Sequence, residues 1–158
     1  GQNGIGKSTL LKAIYEQNKQ PCDSIHLAVG CFYLDQNFSF LCGEMTVINN
    51  LTQLNNELSE VEWRNLLGQL RIRGDKGTQL LSQLSGGEKL NVALLALSQI
   101  KPTPELLLLD EPENHLDIES RELLAHAIQS YEGAVLLISH DPLFVENCGI
   151  SESFTLTP

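Results

Sequence analysis

The chain has 158 residues, 42% of them hydrophobic, with 20 acids against 10 Lys and Arg and a formal net charge of −10. A domain of this size buries roughly two-thirds of its unfolded surface, and its acidic balance argues against a free-standing nucleic-acid binder, which carries a basic face. Composition also excludes collagen-like, coiled-coil, disordered and disulfide-stapled classes, and the longest apolar run, residues 92–97, is well short of the roughly 18 residues of a membrane span.

Residues 7–18 predict a helix with Leu10, Leu11, Ile14 and Tyr15 on one face. Residues 25–29 and 31–34 read as strands on either side of Gly30. From residue 46 to 70, Val47, Leu51, Leu54, Leu58, Val61, Leu66, Leu67 and Leu70 recur at helical spacing and predict two or three helices. A basic, Gly-containing turn spans residues 71–77, where Arg71, Arg73 and Lys76, with Arg64, form the one basic cluster: a solvated face, or a contact to RNA. Residues 86–98 predict a helix burying Val92, Ala93, Leu95 and Ala96. The apolar run at 106–109 follows Pro102 and Pro104 and suits a parallel strand covered on both faces. A helix over 118–131, with Leu123, Leu124, Ala127 and Ile128 inward, and an apolar strand over 134–138 follow. The tail from Cys148 has room for one more strand. This alternation predicts an α/β domain, with residues 46–83 as a helical insert in a core built from 1–45 and 84–158. Cys22, Cys31, Cys42 and Cys148 form no C-x-x-C pair and read as reduced thiols.

Three motifs carry chemistry. Gly1-Gln2-Asn3-Gly4-Ile5-Gly6-Lys7-Ser8-Thr9 matches G-x-x-x-x-G-K-[ST] at every fixed position. Glycines let backbone N–H groups curl around phosphate oxygens, and a helix N-terminus points its dipole at the same anion. Lys7 then supplies a charge to the β- and γ-phosphates, and Ser8 a hydroxyl to Mg²⁺. The competing reading is a Gly-rich turn before an ordinary helix. The chain opens inside this motif and without Met, and so reads as a piece of a longer protein.

The second motif ends the apolar strand: Leu109-Asp110-Glu111-Pro112. Ligands of open α/β sheets collect at the carboxyl ends of strands, where Asp110 can hold Mg²⁺ and Glu111 can take a proton from an attacking water. Alone, the pair would pass for a solvated turn. The third, Ser85-Gly86-Gly87-Glu88, has the spacing of a capping box. Two glycines in a first turn are costly for a mere cap, about 1 kcal/mol each against Ala, and suggest a second anion site approached by backbone N–H groups.

With these motifs in this order the chain resembles the ATP-binding cassette (ABC) ATPases. Gln36 falls where that family places its Q-loop glutamine, residues 84–88 match its signature, Asn114-His115-Leu116-Asp117 its D-loop, and His140 its switch histidine. Finer features resemble the ABC-F branch, soluble members that act on ribosomes: Ser85-Gly86-Gly87-Glu88-Lys89, and Asp110-Glu111-Pro112 running on to Asn114 and Asp117. The resemblance implies a P-loop NTPase fold with a mostly parallel core sheet. It implies ATP and Mg²⁺ as ligands, with Gly1, Asn3, Gly4, Gly6, Lys7, Ser8 and Thr9 on the nucleotide and Ser8, Gln36 and Asp110 around the metal. Glu111, His140 and Gln36 become the hydrolytic residues. Ser85, Gly86, Gly87 and Glu88 would touch the ATP of a second cassette, in the same polypeptide or a homodimer, so that this chain alone would be nearly inactive. A cytoplasmic location and a ribosome or rRNA partner follow from the same resemblance. The competing outputs are a membrane permease partner and a non-hydrolysing regulatory cassette. Two departures stand out: Glu113 where the branch usually has Thr, beside the composite nucleotide site, and Asn91 where the signature helix usually has Arg. An added negative charge and a lost positive one imply weaker ATP engagement.

Each role has a plainer counterpart. Gln36 can be an ordinary strand-end residue. Asp117 can cap the helix that follows while also serving the D-loop. Ser139, His140 and Asp141 name the members of a hydrolase triad, but neighbours on a strand point to opposite faces and cannot form that relay.

Overall fold

The computed structural model describes residues 6–17, 29–72 and 74–154. The expected strand over 25–29 falls almost entirely outside them. Two compact units divide the chain: residues 1–37, 104–114 and 121–158, and residues 38–103 with 115–120.

In the first unit, helix α1 (Lys7–Gln17) precedes strand β1 (Cys31–Asp35). Strands β2 (Leu106–Asp110) and β3 (Ala134–Ile138) complete a parallel sheet in the order β1-β2-β3. Parallel pairing sets Asp35 opposite Asp110 and Asp110 opposite Ile138, so the carboxyl ends of the strands are level. Leu107, Leu108 and Leu109 are buried, as a continuous apolar run in a covered strand demands. β3 is equally apolar but only half-buried, with Ala134 exposed. α1 buries Leu11 against Cys31 and Leu108, while Leu10, on the face expected to be inward, is 40% exposed. Tyr15 and Tyr33 pack with ring centroids 5.6 Å apart.

Helix α5 (Ile118–Gln129) follows β2 and buries Leu124, Ala125 and Ile128; Leu123 points outward. After β3 the chain forms helix α6 (Pro142–Asn147). Asp141 caps it, accepting from the N–H groups of Leu143 and Phe144, and Pro142 occupies the first turn where its missing N–H costs nothing. Residues 151–154, part of the expected tail strand, have no regular structure.

The second unit packs helices α2 (Val47–Leu54), α3 (Glu60–Gln69) and α4 (Gly86–Gln99) against one another. Thr46 caps α2, and Ser59 with Glu62 forms a capping box on α3. Buried Asn50 ties the preceding loop down, accepting from the Cys42 N–H at 2.7 Å and donating to the Cys42 and Thr46 carbonyls. α3 presents Trp63 and Leu67 to the core, while Val61 is 66% exposed. Residues 74–78 and 81–83 form short 3₁₀ turns. α4 buries Leu90, Val92, Ala93, Leu95 and Ala96. Cys31, Cys42 and Cys148 are free thiols.

Candidate functional site

The candidate site grows from the level strand ends of the first unit. Gly6 stands at φ +86° with open space where a Cβ would sit, a conformation that suits glycine and leaves room for a ligand close to the backbone. Its carbonyl accepts the Leu10 N–H at 2.8 Å and starts α1. Gly1, Asn3 and Gly4 lie outside the described residues. Thr9 is exposed on the first turn.

Ser8 and Asp110 are 102 positions apart in sequence, yet the Ser8 hydroxyl donates to Asp110 Oδ1 at 2.9 Å. The other oxygen of Asp110 accepts from the Tyr33 hydroxyl at 2.7 Å. Burial, followed by that bond and the charges of Asp110 and Asp35, pushes the Tyr33 phenol well above its ordinary range, so Tyr33 stays a donor at any physiological pH.

Glu111 has φ +49°, a left-handed conformation uncommon for a non-Gly residue and costly enough to mark constrained sites. Its N–H extends the sheet by donating to Ile138 O at 2.9 Å. Its carboxylate is held from two sides: Oε1 lies 3.1 Å from His140 Nε2, and Oε2 accepts from Asn114 Nδ2 at 2.7 Å. Asn114 Nδ2 also reaches Gln36 Oε1 at 3.4 Å, so Gln36 sits by the same carboxylate. Lys7 Nζ is 3.2 Å from the same His140 nitrogen. Accepting from the Lys7 ammonium needs a lone pair on Nε2, and donating to Glu111 needs an N–H there, so the two contacts exclude each other at one tautomer.

The expected residues Lys7, Ser8, Gln36, Asp110, Glu111 and His140 therefore meet. Tyr33 and Asn114 join them without having been singled out. Tyr33 needed the register of β1 against β2 to be seen; Asn114 was legible only as part of a motif. Ser139 and Asp141 do not join His140 in a relay: Ser139 bonds Glu113, and Asp141 pairs with Arg121 at 3.2 Å and caps α6.

Glu113 lies two residues beyond Glu111. It is 2% exposed, turned inward, with Oε1 accepting from the Ser139 hydroxyl at 2.5 Å. Burial, and next the Glu113 charge, push the facing Cys148 thiol up to about 11. Its carboxyl group is thus not offered to solvent.

In the second unit, the Ser85 hydroxyl accepts from the Glu88 N–H at 3.3 Å and the Glu88 carboxylate from the Ser85 N–H at 3.0 Å, completing the expected capping box. Lys76 pairs with Glu88, and this bond first, then the Ser85 N–H, holds the Glu88 carboxyl below its ordinary range. A Cβ on Gly87 would come within 2.8 Å of Ser120 Oγ, while Gly86 has ordinary contacts, so packing alone explains one of the two glycines. Asp117 accepts from the Ser120 N–H at 2.8 Å as the cap of α5, and the Ser120 side chain first, then this backbone bond, lowers its carboxyl. The basic cluster is partly neutralised: Lys76 is paired with Glu88 and Arg64 with Glu60, while Arg73 is outside the described residues.

Ser8 and Asp110 are hard oxygen donors, suited to a divalent cation that keeps most of its ligands from water and phosphate. With Gly6 and Lys7 at the start of α1, the residues present fit a metal-bound polyphosphate.

A family model described as "ABC transporter" matches residues 1–114. The chain is 34% identical over 150 residues to the probable ATP-binding protein YheS of Haemophilus influenzae, covering 93% of the chain and 23% of that protein. It is 38% identical to ABC transporter F family member 5 of Arabidopsis thaliana, covering 92% of the chain and 21% of that protein. The chain thus spans less than a quarter of the length of these curated relatives. Among solved structures, the archaeal ribosome recycling factor in its complex with a ribosomal stalk protein superposes with a TM-score of 0.66 at 29% identity, over 94% of this chain and 29% of that one. Among the described residues no helix is long and apolar enough to cross a membrane.

Proposed function

Since the chain belongs to the ABC transporter family, as a cassette resembling the ABC-F branch, we propose that it binds Mg²⁺–ATP at the start of α1 and hydrolyses it when paired with a second cassette. The observation that carries this reading is the link from Ser8 to Asp110 beside the contact of Glu111 with His140. It joins a phosphate loop to a carboxylate that can act as a base. When bound, the cation neutralises phosphate charge and fixes the phosphate oxygens.

Ser8 and Asp110 hold the metal, with Gln36 beside them. Lys7 leaves His140 for the phosphates. Glu111 takes the proton of a water attacking in line with the departing diphosphate, and Asn114 keeps that carboxylate turned toward the water. His140 donates to the γ-phosphate once Lys7 has moved away. Ser85, Gly86, Gly87 and Glu88 complete the site of the second cassette, and Asp117 carries the D-loop beside them. The insert at residues 46–83 and the core around it form one nucleotide-binding domain, and the output is a conformational change on a ribosome. Support for that partner is the F-type relative together with the likeness to a ribosome recycling factor.

Phosphate release measured against chain concentration, beside nucleotide titration calorimetry, tests the reading. Nucleotide binding with Mg²⁺, and turnover per chain that rises with concentration, is the expected result. Absence of nucleotide binding at millimolar concentration overturns it, and robust turnover independent of concentration overturns the paired-cassette part.

A further inference from the structure

The turn after β2 sends two carboxylates in opposite directions. Glu111 faces His140. Glu113, two residues on, is buried and accepts from Ser139 Oγ on one oxygen, while its other oxygen, Oε2, is buried with no hydrogen-bond partner among the described residues. A carboxylate oxygen kept from water without a partner is among the costlier groups in a fold, and each such group calls for a reason. Packing alone gives none, since an apolar side chain of similar volume would fill the space without that cost.

What Glu113 holds supplies the reason. Ser139 is the residue between the end of β3 and His140. Its Oγ donates to Glu113 and accepts the Asp141 N–H at 3.0 Å, spanning the backbone of His140. On the other side, Ile138 is fixed by the ladder to Asp110 and by the Glu111 N–H. Successive side chains of an extended chain point to opposite faces. Ser139 therefore turns inward to Glu113 while His140 turns outward to Glu111 and Lys7. The two loops are pinned twice, inside by Glu113–Ser139 and outside by Glu111–His140.

We infer that Glu113 is a positioning residue for His140: its buried carboxylate fixes Ser139 and thereby sets the approach of the imidazole to Glu111. It touches no reacting atom. The consequence for turnover rests on the hydrolytic roles proposed above for Glu111 and His140; the placement of the ring does not.

Three variants of the full chain test this: Glu113→Met, Glu113→Gln and Ser139→Ala. The long-range ¹H–¹⁵N spectrum of the His140 ring reads which nitrogen carries the proton and whether the ring is held. Melting temperature and phosphate release are measured alongside. Glu113→Met should melt no lower than the parent, because the unpartnered oxygen is gone, yet its His140 ring should show the averaged spectrum of an unheld imidazole. Its turnover should fall roughly tenfold or more with nucleotide affinity unchanged, as for a small misplacement of a positioned group. Glu113→Gln still accepts from Ser139 through its amide oxygen and should keep the parental ring spectrum and turnover. Ser139→Ala should reproduce the ring spectrum of Glu113→Met. A parental ring spectrum in both Glu113→Met and Ser139→Ala overturns the inference, as does a Glu113→Met whose stability and turnover fall together. If Glu113→Met does not fold, the ring spectra of Ser139→Ala and Glu113→Gln decide. A parent that binds no nucleotide removes the proposed function and leaves the ring spectra to decide this point.

Discussion

Helices α1 and α4 both begin beside glycines, and they treat their first turns in opposite ways. α4 closes on itself: the Ser85 hydroxyl and the Glu88 carboxylate satisfy each other's backbone N–H groups. Its positive dipole end already has an anion, the chain's own Glu88, with Lys76 behind it. The first turn of α1 contains no acid, its Ser8 hydroxyl is directed to Asp110, and its Lys7 ammonium to His140. One helix start is internally complete. The other has its side chains turned to neighbouring elements and its dipole uncompensated by its own sequence, the condition for taking an outside anion. Two motifs that look alike as strings of Gly, Ser and Lys or Glu thus fold into different electrostatic objects.

The contrast can be broken by mutation. The largest effect is expected at the α1 corner: Glu111→Gln should keep nucleotide affinity in calorimetry while turnover falls about 10²–10⁴-fold, the usual weight of a general base. Parental phosphate release would remove Glu111 from that role. Next, Lys7→Ala should weaken nucleotide binding by roughly 10–100-fold, since a hydrogen bond to a charged group is worth about 1.5–3 kcal/mol. An unchanged dissociation constant would show that the α1 start is not the phosphate cradle. At α4 the effects on the unpaired chain should fall on stability instead. Gly87→Ala sets a Cβ against Ser120 Oγ, and this overpacking, about 1–3 kcal/mol, should exceed the helix-propensity gain of about 1 kcal/mol and leave a small net loss in a denaturant titration. Ser85→Ala should cost about 1 kcal/mol as a lost cap, and neither change should alter nucleotide affinity of the chain by itself.

The smallest effect is one of pH. The folded-state carboxyl of Glu88 lies below its ordinary value of 4.5. Its contribution is therefore fully present above that value and is lost as pH falls through the lower, folded one. Glu88→Gln should flatten the acid side of the stability curve over that window and leave stability near pH 7 without this pH dependence. An acid limb identical to the parent's would show that the Lys76 and Ser85 contacts do not stabilise the ionised form.

The order of elements and the residues that gather at the level strand ends were legible because their signals are local. The apolar run at 106–109, behind two prolines, forms a covered strand, a capping box opens a helix, and the G-x-x-x-x-G-K-[ST] motif keeps fixed spacing. Faces of short helices were less so. Val61 and Leu123 fit the 3.6 period but lie outside, because α3 turns Trp63 inward and α5 turns Leu124 and Ala125 inward. Helix α6 was missed although Asp141-Pro142 is a cap followed by a first-turn proline. Tyr33 on Asp110 could not be read at all, since it depends on the pairing of strands separated by some seventy positions. The inward turn of Glu113 to Ser139 could not be read either, since it depends on the geometry of the turn after β2.

The level ends of β1 and β2 have one further implication, for the sign of the field. Asp35 and Asp110 stand in register, and Glu111 follows at once. Among the residues placed at this corner Lys7 is the one permanent cation. A bare polyphosphate arriving there adds negative charge to a negative rim, in a protein whose net charge is −10. On the function proposed above, the corner discriminates by valence before it does so by shape: it repels the free anion and admits one that brings its own countercharge.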